Sequence, residues 1–299
     1  MICRFLVSRL LRLYPLYSGC GTLANLSIIH KITGKSDECL VAKVPGGKVL
    51  APLNDYVGRA AYFVGELDRK ITWICRRIVR PGDTVLDIGA NIGFVTVLLS
   101  SLVGKDGNVY AFEPNPRLYH LLEKTLKKNQ STNIHLFQIA IGNVQRSMDL
   151  RIPKNNAGAA SLVRNRDERD CEVVQVPVRR LSDIISDEGI QSIRFIKIDV
   201  EGFEAEVFRG GLDALKEIRP EAILFEQNEV EGAIRDQPAI KILQDLDYSF
   251  FSIPKCLFQM RLEYFDPNKT DNMIGHDLLA VYHGHSYNTI VKQVNATSK

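Results

Sequence analysis

The sequence lacks the spacings that mark metal and redox sites. Its six cysteines lie far apart, with no CxxC pair and no Cys/His cluster, which argues against zinc and dithiol chemistry. Reduced thiols in a cytoplasmic enzyme are the simpler expectation. An excess of one charge is also missing, since 38 lysines and arginines stand against 35 aspartates and glutamates. We therefore expect no nucleic-acid partner, because no strong field is available to hold a polyanion.

A long uncharged apolar run is absent too. The apolar opening, residues 1–17, is interrupted by Arg4, Arg9 and Arg12, which excludes a signal-peptide core and a membrane-spanning segment. The near-helical spacing of these arginines predicts an amphipathic helix. Such a helix either packs against its own protein or rests on an anionic membrane surface. The sequence leaves both interpretations open, so the expected cytoplasmic location includes peripheral contact with a membrane.

From residue 83 onward, short β-branched runs alternate with helical stretches. This order is typical of a parallel sheet covered by helices on both faces. Strands are predicted at 84–88, 108–112, 134–140, 193–199 and 221–225, and helices at 94–102, 116–128, 203–217 and 235–245. Two alternating runs, 147–152 and 172–178, predict an inserted β-hairpin. The runs 248–253 and 276–283, with no helix between them, predict a closing antiparallel pair.

The expected fold is α/β and Rossmann-like, with a mostly parallel seven-stranded sheet. A chain of 299 residues with 45% hydrophobic content can form one large domain plus an extension. We expect an N-terminal extension over 1–57, with an amphipathic helix and short strands, then the main domain over 58–286 and a tail over 287–299. A helix is predicted at 57–79 as the entry to the domain.

The end of the first strand has the features of a ligand-binding turn. Asp87 precedes Gly89, which lets the backbone approach a ligand, Asn91, which tolerates left-handed angles, and Gly93, which permits close helix-to-sheet packing. The spacing is GxxxG and not the GxGxxG that binds a dinucleotide pyrophosphate. A carboxylate at Asp87 would repel an anion and stabilise the ammonium of a methionine moiety.

The next two strand ends extend this candidate cofactor site. Glu113 stands at the tip of the second strand, where its carboxylate can accept both hydroxyls of a ribose. Pro114 and Pro116 stiffen the turn that carries it. Asn143, just beyond the third strand, is the candidate to flank an adenine.

Three motifs together resemble the signatures of the FkbM-type methyltransferase family. They are DIGANIGFVTV from Asp87, AFEPNP from Ala111 and FIKIDVEGFE ending at Glu204, and the likeness extends from about Gly58 to HDLLAVY at His276. The resemblance implies a class I methyltransferase with S-adenosyl-L-methionine as the methyl donor. It also implies acceptors that are mostly hydroxyls of sugars and natural products.

The fourth strand end is the candidate reaction site. Asp199 is expected to orient or deprotonate the acceptor hydroxyl, because in this topology the fourth strand tip faces the transferred methyl group. Glu201 is a second catalytic candidate, although it could instead stabilise the start of the following helix. Lys197, on the same side of the strand, is expected to hold a neighbouring carboxylate.

The fifth strand ends at Glu226, the third catalytic candidate. Asp199, Glu226 and Asn228 could offer three oxygen ligands to Mg²⁺. The family resemblance does not call for a metal, so we expect none. His276 opens the last strand, and a lone histidine of this kind is usually structural.

The expected function is O-methylation of a hydroxyl on a small molecule, sugar or glycan. One alternative is an NAD(P)-dependent oxidoreductase on a related fold, against which the missing GxGxxG and the closing antiparallel pair argue. The other is a non-catalytic nucleotide-binding protein. Carboxylates at three successive strand tips, Asp87, Glu113 and Asp199, argue against it.

Overall fold

The computed structural model describes residues 2–33, 38–154, 156–163, 171–227, 233–254, 257–258, 260–269 and 276–295. The helices in these ranges are α1 (Ile2–Leu11), α2 (Cys20–Ala24), α3 (Ser27–Thr33), α4 (Tyr56–Phe63), α5 (Arg69–Ile78), α6 (Phe94–Val103), α7 (Pro116–Asn129), α8 (Leu181–Asp187), α9 (Glu204–Ile218), α10 (Pro238–Asp245) and α11 (Tyr287–Asn295). The strands are β1 (Cys39–Val44), β2 (Gly47–Pro52), β3 (Thr84–Ile88), β4 (Asn108–Phe112), β5 (Ile134–Phe137), β6 (Ala140–Ile141), β7 (Arg146–Pro153), β8 (Cys171–Arg179), β9 (Phe195–Ile198), β10 (Ala222–Glu226), β11 (Tyr248–Ser252), β12 (Glu263–Phe265) and β13 (Asp277–Tyr282).

The central sheet is mostly parallel with closing antiparallel strands, as the sequence predicts. Its strands run β12-β11-β13-β10-β9-β3-β4-β5. The neighbours from β10 to β5 pair in parallel, and β13 pairs antiparallel with both β10 and β11. The expected count of seven strands is wrong by one in the described residues, because β12 adds an edge strand to β11. A three-residue strand is too short to show an alternating pattern.

The inserted hairpin is confirmed, and it belongs to a separate sheet. Strands β7 and β8 pair antiparallel, and β6 pairs in parallel with the end of β8. The predicted third strand is therefore too long, since its end leaves the central sheet to join this one. The hairpin loop at 164–170 lies outside the described residues. The short helix α8 follows the hairpin and was not predicted.

The ends of the chain are more structured than the sequence suggests. The region before the domain is a β1–β2 hairpin that packs on α4 and α7. The single helix expected at 57–79 is two helices, because Gly65 takes a φ of +87° between α4 and α5 and ends the first of them. The expected tail contains α11, whose Ile290 and Val294 are buried and whose helix contacts α5.

Alternation along the strands divides the core into two layers. Leu86 and Ile88 of β3 point towards α8, α9 and α10, whereas Val85 packs with α5, α6 and α11. The helices therefore fix the parallel strands so that their carboxyl ends meet at one edge. No helix in the described ranges is both long enough and apolar enough to cross a membrane.

Candidate active site

Adjacent carboxyl ends of parallel strands bring the predicted polar residues together. Asp87 on β3 is in register with Lys197 on β9. Glu113 follows β4 and Asp199 follows β9, and these two strands lie on either side of β3. The parallel topology places all four at one edge of the sheet.

The turn after β3 requires Gly89 and Gly93 because other parts of the protein approach them closely, and not for the ligand and sheet contacts that the sequence suggested. A Cβ on Gly89, at φ +82°, would lie 1.9 Å from the backbone oxygen of Asp199, so the approach of β9 excludes any larger residue. A Cβ on Gly93 would meet Leu122 of α7 at 2.3 Å, which makes this a contact between helices. Asn91 does adopt the left-handed region, with a φ of 54°.

Asp87 is enclosed by protein and does not reach the pocket surface. Its side chain is 0% exposed, and Thr96 Oγ1 donates a 2.6 Å hydrogen bond to Oδ2. Oδ1 has no hydrogen-bond partner, and the nearest cation is Lys197 Nζ at 3.6 Å. Burial raises the pKa of Asp87, and the Lys197 ammonium opposes that rise. The cation beside Asp87 in this structure is Lys197, and the contact predicted between Asp87 and a methionine ammonium or its bridging water stays a prediction.

Lys197 links Asp87 to Asp199. Its Nζ donates to the Gly89 oxygen at 2.9 Å and lies 3.3 Å from Asp199 Oδ2. Burial alone would lower the pKa of Lys197, but the carboxylates of Asp199 and Asp87 raise it on balance. Lys197 is therefore a charged partner of two carboxylates and not a base, as its sequence position indicated.

Glu113 links the turn after β3 to the turn after β4 through hydrogen bonds. Its two carboxylate oxygens accept hydrogen bonds from Asn91 N at 2.7 Å and Asn115 N at 2.8 Å. Burial raises the pKa of Glu113 to about 7, against the effect of these two donors. A carboxylate offers about four lone-pair positions, so two remain for a ligand.

Glu113 faces a largely apolar pocket at the strand tips. Gly89 and Asn91 line it on one side, and its apolar wall includes Phe112, Ile139, Ile141, Leu162, Val200 and Phe203. The 3-10 turn at Ala157–Ala159 belongs to the hairpin insertion and covers the pocket. Asn143, predicted to flank an adenine, is exposed and lies outside this lining. After β6 the chain turns towards α9, where a Cβ on Gly210 would be 1.8 Å from the Gly142 oxygen.

Asp199 lies at the border between this pocket and a second, polar cleft. Its side chain is 44% exposed, and it lines both cavities. Glu226 lines the cleft as well, together with Tyr17, Thr22, Tyr56, Asp68, Lys70 and Asp277. The structure thus brings two of the three catalytic candidates to one cleft.

Glu201, the third catalytic candidate, is close to the other carboxylates but lines neither cavity. Its backbone is left-handed, with a φ of 51°. Burial, together with repulsion from Asp199 and Glu226, raises the pKa of Glu201 to about 7. Glu204 at the start of α9 is 6% exposed and accepts from Gly202 N at 3.3 Å, and burial likewise raises its pKa to about 7.

Sequence reasoning missed Lys70, which lies deep in the polar cleft. Its Nζ pairs with the Asp277 carboxylate and lies 3.2 Å from Asp68 Oδ2. Burial alone would lower the pKa of Lys70, but the two carboxylates raise it on balance. Asp68 caps α5 by accepting from Lys70 N, a role its position suggests. The sequence around Lys70 contains no feature that predicts its partner, Asp277. The neighbouring His276 is exposed and lies outside the lining of either cavity.

The predicted oxygen ligands for Mg²⁺ are only partly described. Asn228 lies outside the described residues. Within those residues, no group of three or more His, Cys, Asp or Glu side chains is placed to hold a metal ion. The cation next to Asp199 is the ammonium of Lys197.

A comparison with known families decides the class of protein. The profile described as "Methyltransferase FkbM domain" matches residues 87–250, more than half of the chain. The chain belongs to the FkbM family of methyltransferases. The match begins at Asp87 and spans Glu113, Asp199 and Glu226, so the strand-tip site lies within it. The cleft residues Tyr17–Thr22, Tyr56, Asp68, Lys70 and Asp277 lie outside the matched segment.

Two curated relatives are consistent with this family, and a solved structure aligns with the chain more distantly. The 31-O-demethyl-FK506 methyltransferase FkbM of Streptomyces tacrolimicus is 28% identical over 233 residues, covering 69% of this chain and 88% of that protein. The 2-O-methyltransferase NoeI of Sinorhizobium fredii is 26% identical over 189 residues, covering 57% and 73%. The crystal structure of Methyltransferase FkbM from Methylobacillus flagellatus aligns with a TM-score of 0.40 and 16% identity, covering 94% of this chain and 59% of that one.

The protein is therefore an S-adenosylmethionine-dependent methyltransferase with a Rossmann-like fold. This confirms the resemblance seen in the three sequence motifs. It also decides against the oxidoreductase alternative.

Proposed function

We propose that the enzyme transfers a methyl group to a hydroxyl on a small molecule, sugar or glycan. The observation that carries this proposal is the position of Asp199, which lines both the apolar pocket and the polar cleft. An acceptor hydroxyl in the cleft would meet a carboxylate at the border of the cofactor pocket. The names of two relatives, a 31-O-demethyl-FK506 methyltransferase and a 2-O-methyltransferase, support oxygen as the acceptor atom.

The apolar pocket fits an adenosine in its chemistry. Ile139, Ile141 and Phe203 offer a surface for the base, and Glu113 offers two free lone-pair positions for the ribose hydroxyls. We assign the adenine contact to these apolar residues in place of Asn143. Gly89 and Asn91 form the turn that the nucleoside would lie against, and Gly93 and Asp87 hold that turn from behind.

Asp199 would position the acceptor and take its proton. When bound, the cofactor supplies an activated methyl group that is displaced in line. The Asp199 carboxylate would hold the acceptor hydroxyl in position and would accept its proton as the oxygen is methylated. Positioning can supply roughly 7–11 kcal/mol of the barrier reduction, and a general base adds about 10²–10⁴-fold.

Lys197 and the other carboxylates support this role. The Lys197 ammonium, 3.3 Å from Asp199 Oδ2, fixes the direction of the carboxylate. Glu226 faces the same cleft and would bind a further hydroxyl of the acceptor. Glu201, with a pKa raised to about 7, can exchange a proton near neutral pH and would pass it from Asp199 to solvent.

The chemical nature of the product tests this proposal. The protein is incubated with S-adenosylmethionine labelled in the methyl group and a fractionated extract, and labelled products are treated with alkali. Alkali hydrolyses methyl esters, whereas methyl ethers and N-methyl groups survive, so the atom that carries the alkali-stable label is then identified by mass spectrometry. The proposal expects the label on oxygen in a small molecule or glycan. Glu113→Ala, which should bind the cofactor poorly, is the control for enzyme-dependent labelling. Label found only in methyl esters or on nitrogen contradicts hydroxyl methylation.

A further inference from the structure

Helix α1 attaches to the body of the protein through polar and apolar side chains. Ser8 is buried and donates a 2.8 Å hydrogen bond to the Tyr62 oxygen. Arg12 donates to the oxygens of Lys43 at 2.8 Å and Tyr62 at 2.9 Å. Val7 and Leu11 also pack against the core beneath the helix, so polar and apolar side chains together hold α1 on the protein.

Four other large apolar side chains of α1 and of the turn after it point outward. Phe5, Leu6, Leu10 and Leu13 are 56%, 58%, 69% and 77% exposed. Leu6 and Leu10 are four residues apart in α1, so they lie in one stripe with the adjacent Phe5, and Leu13 follows the end of the helix. Leu26 and Ile28, at the start of the contacting helix α3, are exposed as well. We call these six residues the N-terminal face.

The exposed apolar residues are concentrated and not scattered. The described residues include eleven large apolar side chains that are exposed, and six of them form the N-terminal face. Two more, Leu257 and Phe258, adjoin the segment that follows α1, since Tyr17 N donates to the Leu257 oxygen. A concentration of exposed apolar residues marks a site of association, whereas single exposed residues are ordinary.

The charge of this region indicates what it associates with. Residues 1–36 contain no aspartate or glutamate, although the whole chain is almost balanced. Their basic residues are Arg4, Arg9, Arg12, Lys31 and Lys35. Arg9 lies within the stripe, with its guanidinium 5.5 Å from the centre of the Phe5 ring. Arg4 pairs with Glu38 and Arg12 donates to backbone oxygens, so Arg9 and Lys31 are the exposed lysine or arginine side chains of residues 2–33. A surface that combines bulky apolar side chains with exposed positive charge is complementary to anionic headgroups above an acyl layer.

We infer that the N-terminal face docks on an anionic lipid bilayer, with α1 lying in the plane of the interface. A second copy of the chain is a poorer occupant, because two acid-free basic faces would repel each other. The ten residues of α1 are too few to span a bilayer, which suits an in-plane position. The segment after α1 continues into Tyr17 and Ser18, which line the polar cleft beside Asp199. Docking would therefore bring that side of the cleft towards the membrane.

Co-sedimentation of the full chain with vesicles tests this inference. The vesicles are pure phosphatidylcholine or phosphatidylcholine with about 30% phosphatidylserine. The wild type should bind the anionic vesicles, and raising the salt should weaken that binding. Leu10→Asp should lower the affinity by about tenfold or more, and Arg9→Glu by about fivefold.

Val173→Asp is the matched control, because Val173 is 52% exposed on the hairpin strand β8 and lies outside the N-terminal face. It should bind vesicles like the wild type. Leu10→Asp should keep the wild-type rate of methyl transfer to a soluble acceptor, so this test stands apart from the proposed function. Failure of the wild type to bind, or equal binding by Leu10→Asp, overturns the inference. If the wild type self-associates without lipid and Leu10→Asp does not, the N-terminal face binds a second copy of the chain and the inference is overturned.

Discussion

At the scale of single residues, the strand-tip site is organised by a cation between two carboxylates of different exposure. Lys197 pairs with Asp87, which is wholly enclosed, and with Asp199, which reaches both cavities. Asp199, and after it Asp87, raise the pKa of Lys197 and keep it charged, and the charged lysine directs the accessible carboxylate of Asp199. Asp87, which lines neither cavity, thus influences Asp199, which lines both, through Lys197.

Removal of the lysine should therefore destabilise the fold as well as the site. Lys197→Met leaves Asp87 buried without a counter-charge, which should cost about 3–5 kcal/mol of unfolding free energy. Urea denaturation measures this loss. The double variant Lys197→Met with Asp87→Asn is the control, since it also removes the uncompensated charge and should recover part of the stability. A loss under about 1 kcal/mol in the single variant would contradict the assigned pairing.

Glu113 gives the proposed cofactor contact a pH dependence. Its pKa of about 7 in the free protein means that it gains a proton as the pH falls through neutrality. Ribose hydroxyls donate to the ionised form, so the affinity for S-adenosylmethionine should fall below pH 7, by up to about tenfold per unit. Calorimetry between pH 8 and 6 measures the trend. Glu113→Gln should bind weakly with no such trend, and a pH trend equal to that of the wild type would remove Glu113 from the contact.

At the scale of secondary-structure elements, α9 begins in a carboxylate-rich region. Its first residue, Glu204, accepts from Gly202 N and is nearly buried. Its pKa of about 7 in the folded state exceeds the ordinary value of 4.5. Between these values the folded state holds a proton that the unfolded state releases, so this group lowers stability as the pH rises from about 4.5 to 7.

Glu204→Gln should make the pH dependence of stability shallower in that range. Glutamine keeps an oxygen that can accept from Gly202 N and removes the ionisation. Thermal unfolding at several pH values gives the comparison. The matched control is Glu217→Gln, an exposed position on the same helix, which should follow the wild type. If both variants follow the wild type, the raised pKa is not the source of the slope.

The elements that the sequence predicts well are those with a repeating pattern and enough length. Strands β3 and β4, helices α6 and α7 and the hairpin strands follow from β-branched runs, alternation and apolar periodicity. The short elements α8 and β12 do not, because the seven residues of α8 form only about two helical turns and the three residues of β12 are too few to show alternation. Gly65 gave a signal for the break between α4 and α5, which the helical prediction overlooked.

The same limit applies to the site. Asp199 and Glu113 were predictable because a parallel sheet brings strand ends together. Asn143 lies outside the apolar pocket because of the way the chain packs after β6, and the sequence does not show that packing. The pair of Lys70 and Asp277 joins positions 207 residues apart, and no local signal connects them.

At the scale of the whole molecule, the two cavities come from different parts of the chain. The family segment builds the apolar pocket, whereas the N-terminal region, α5 and β13 supply much of the polar cleft. Four carboxylates line that cleft, those of Asp68, Asp199, Glu226 and Asp277. Its two lysines, Lys70 and Lys197, are buried and already paired. Because the four carboxylates outnumber the two lysines, the net charge of the cleft lining is negative.

An uncharged polyhydroxy acceptor should be preferred over its anionic counterpart. A neutral glycoside and the uronic acid with the same hydroxyls form a suitable pair of probes, compared by kcat/KM. The neutral compound should react at least about tenfold faster, because a like charge in the cleft costs roughly 1.4 kcal/mol or more. Raising the salt should narrow the difference. Equal or better use of the uronic acid would contradict the charge assigned to the cleft.

The central claim is that Asp199 takes part in the chemical step. Its position at the border of the two cavities predicts that Asp199→Asn keeps most of the affinity for S-adenosylmethionine and loses turnover. The direct measurement is single-turnover methyl transfer at saturating cofactor, with and without a chelator. We expect the rate in Asp199→Asn to fall by about 10²–10⁴-fold while cofactor binding is retained. A near-normal rate in the variant would contradict the account and transfer the role to Glu226 or to positioning alone.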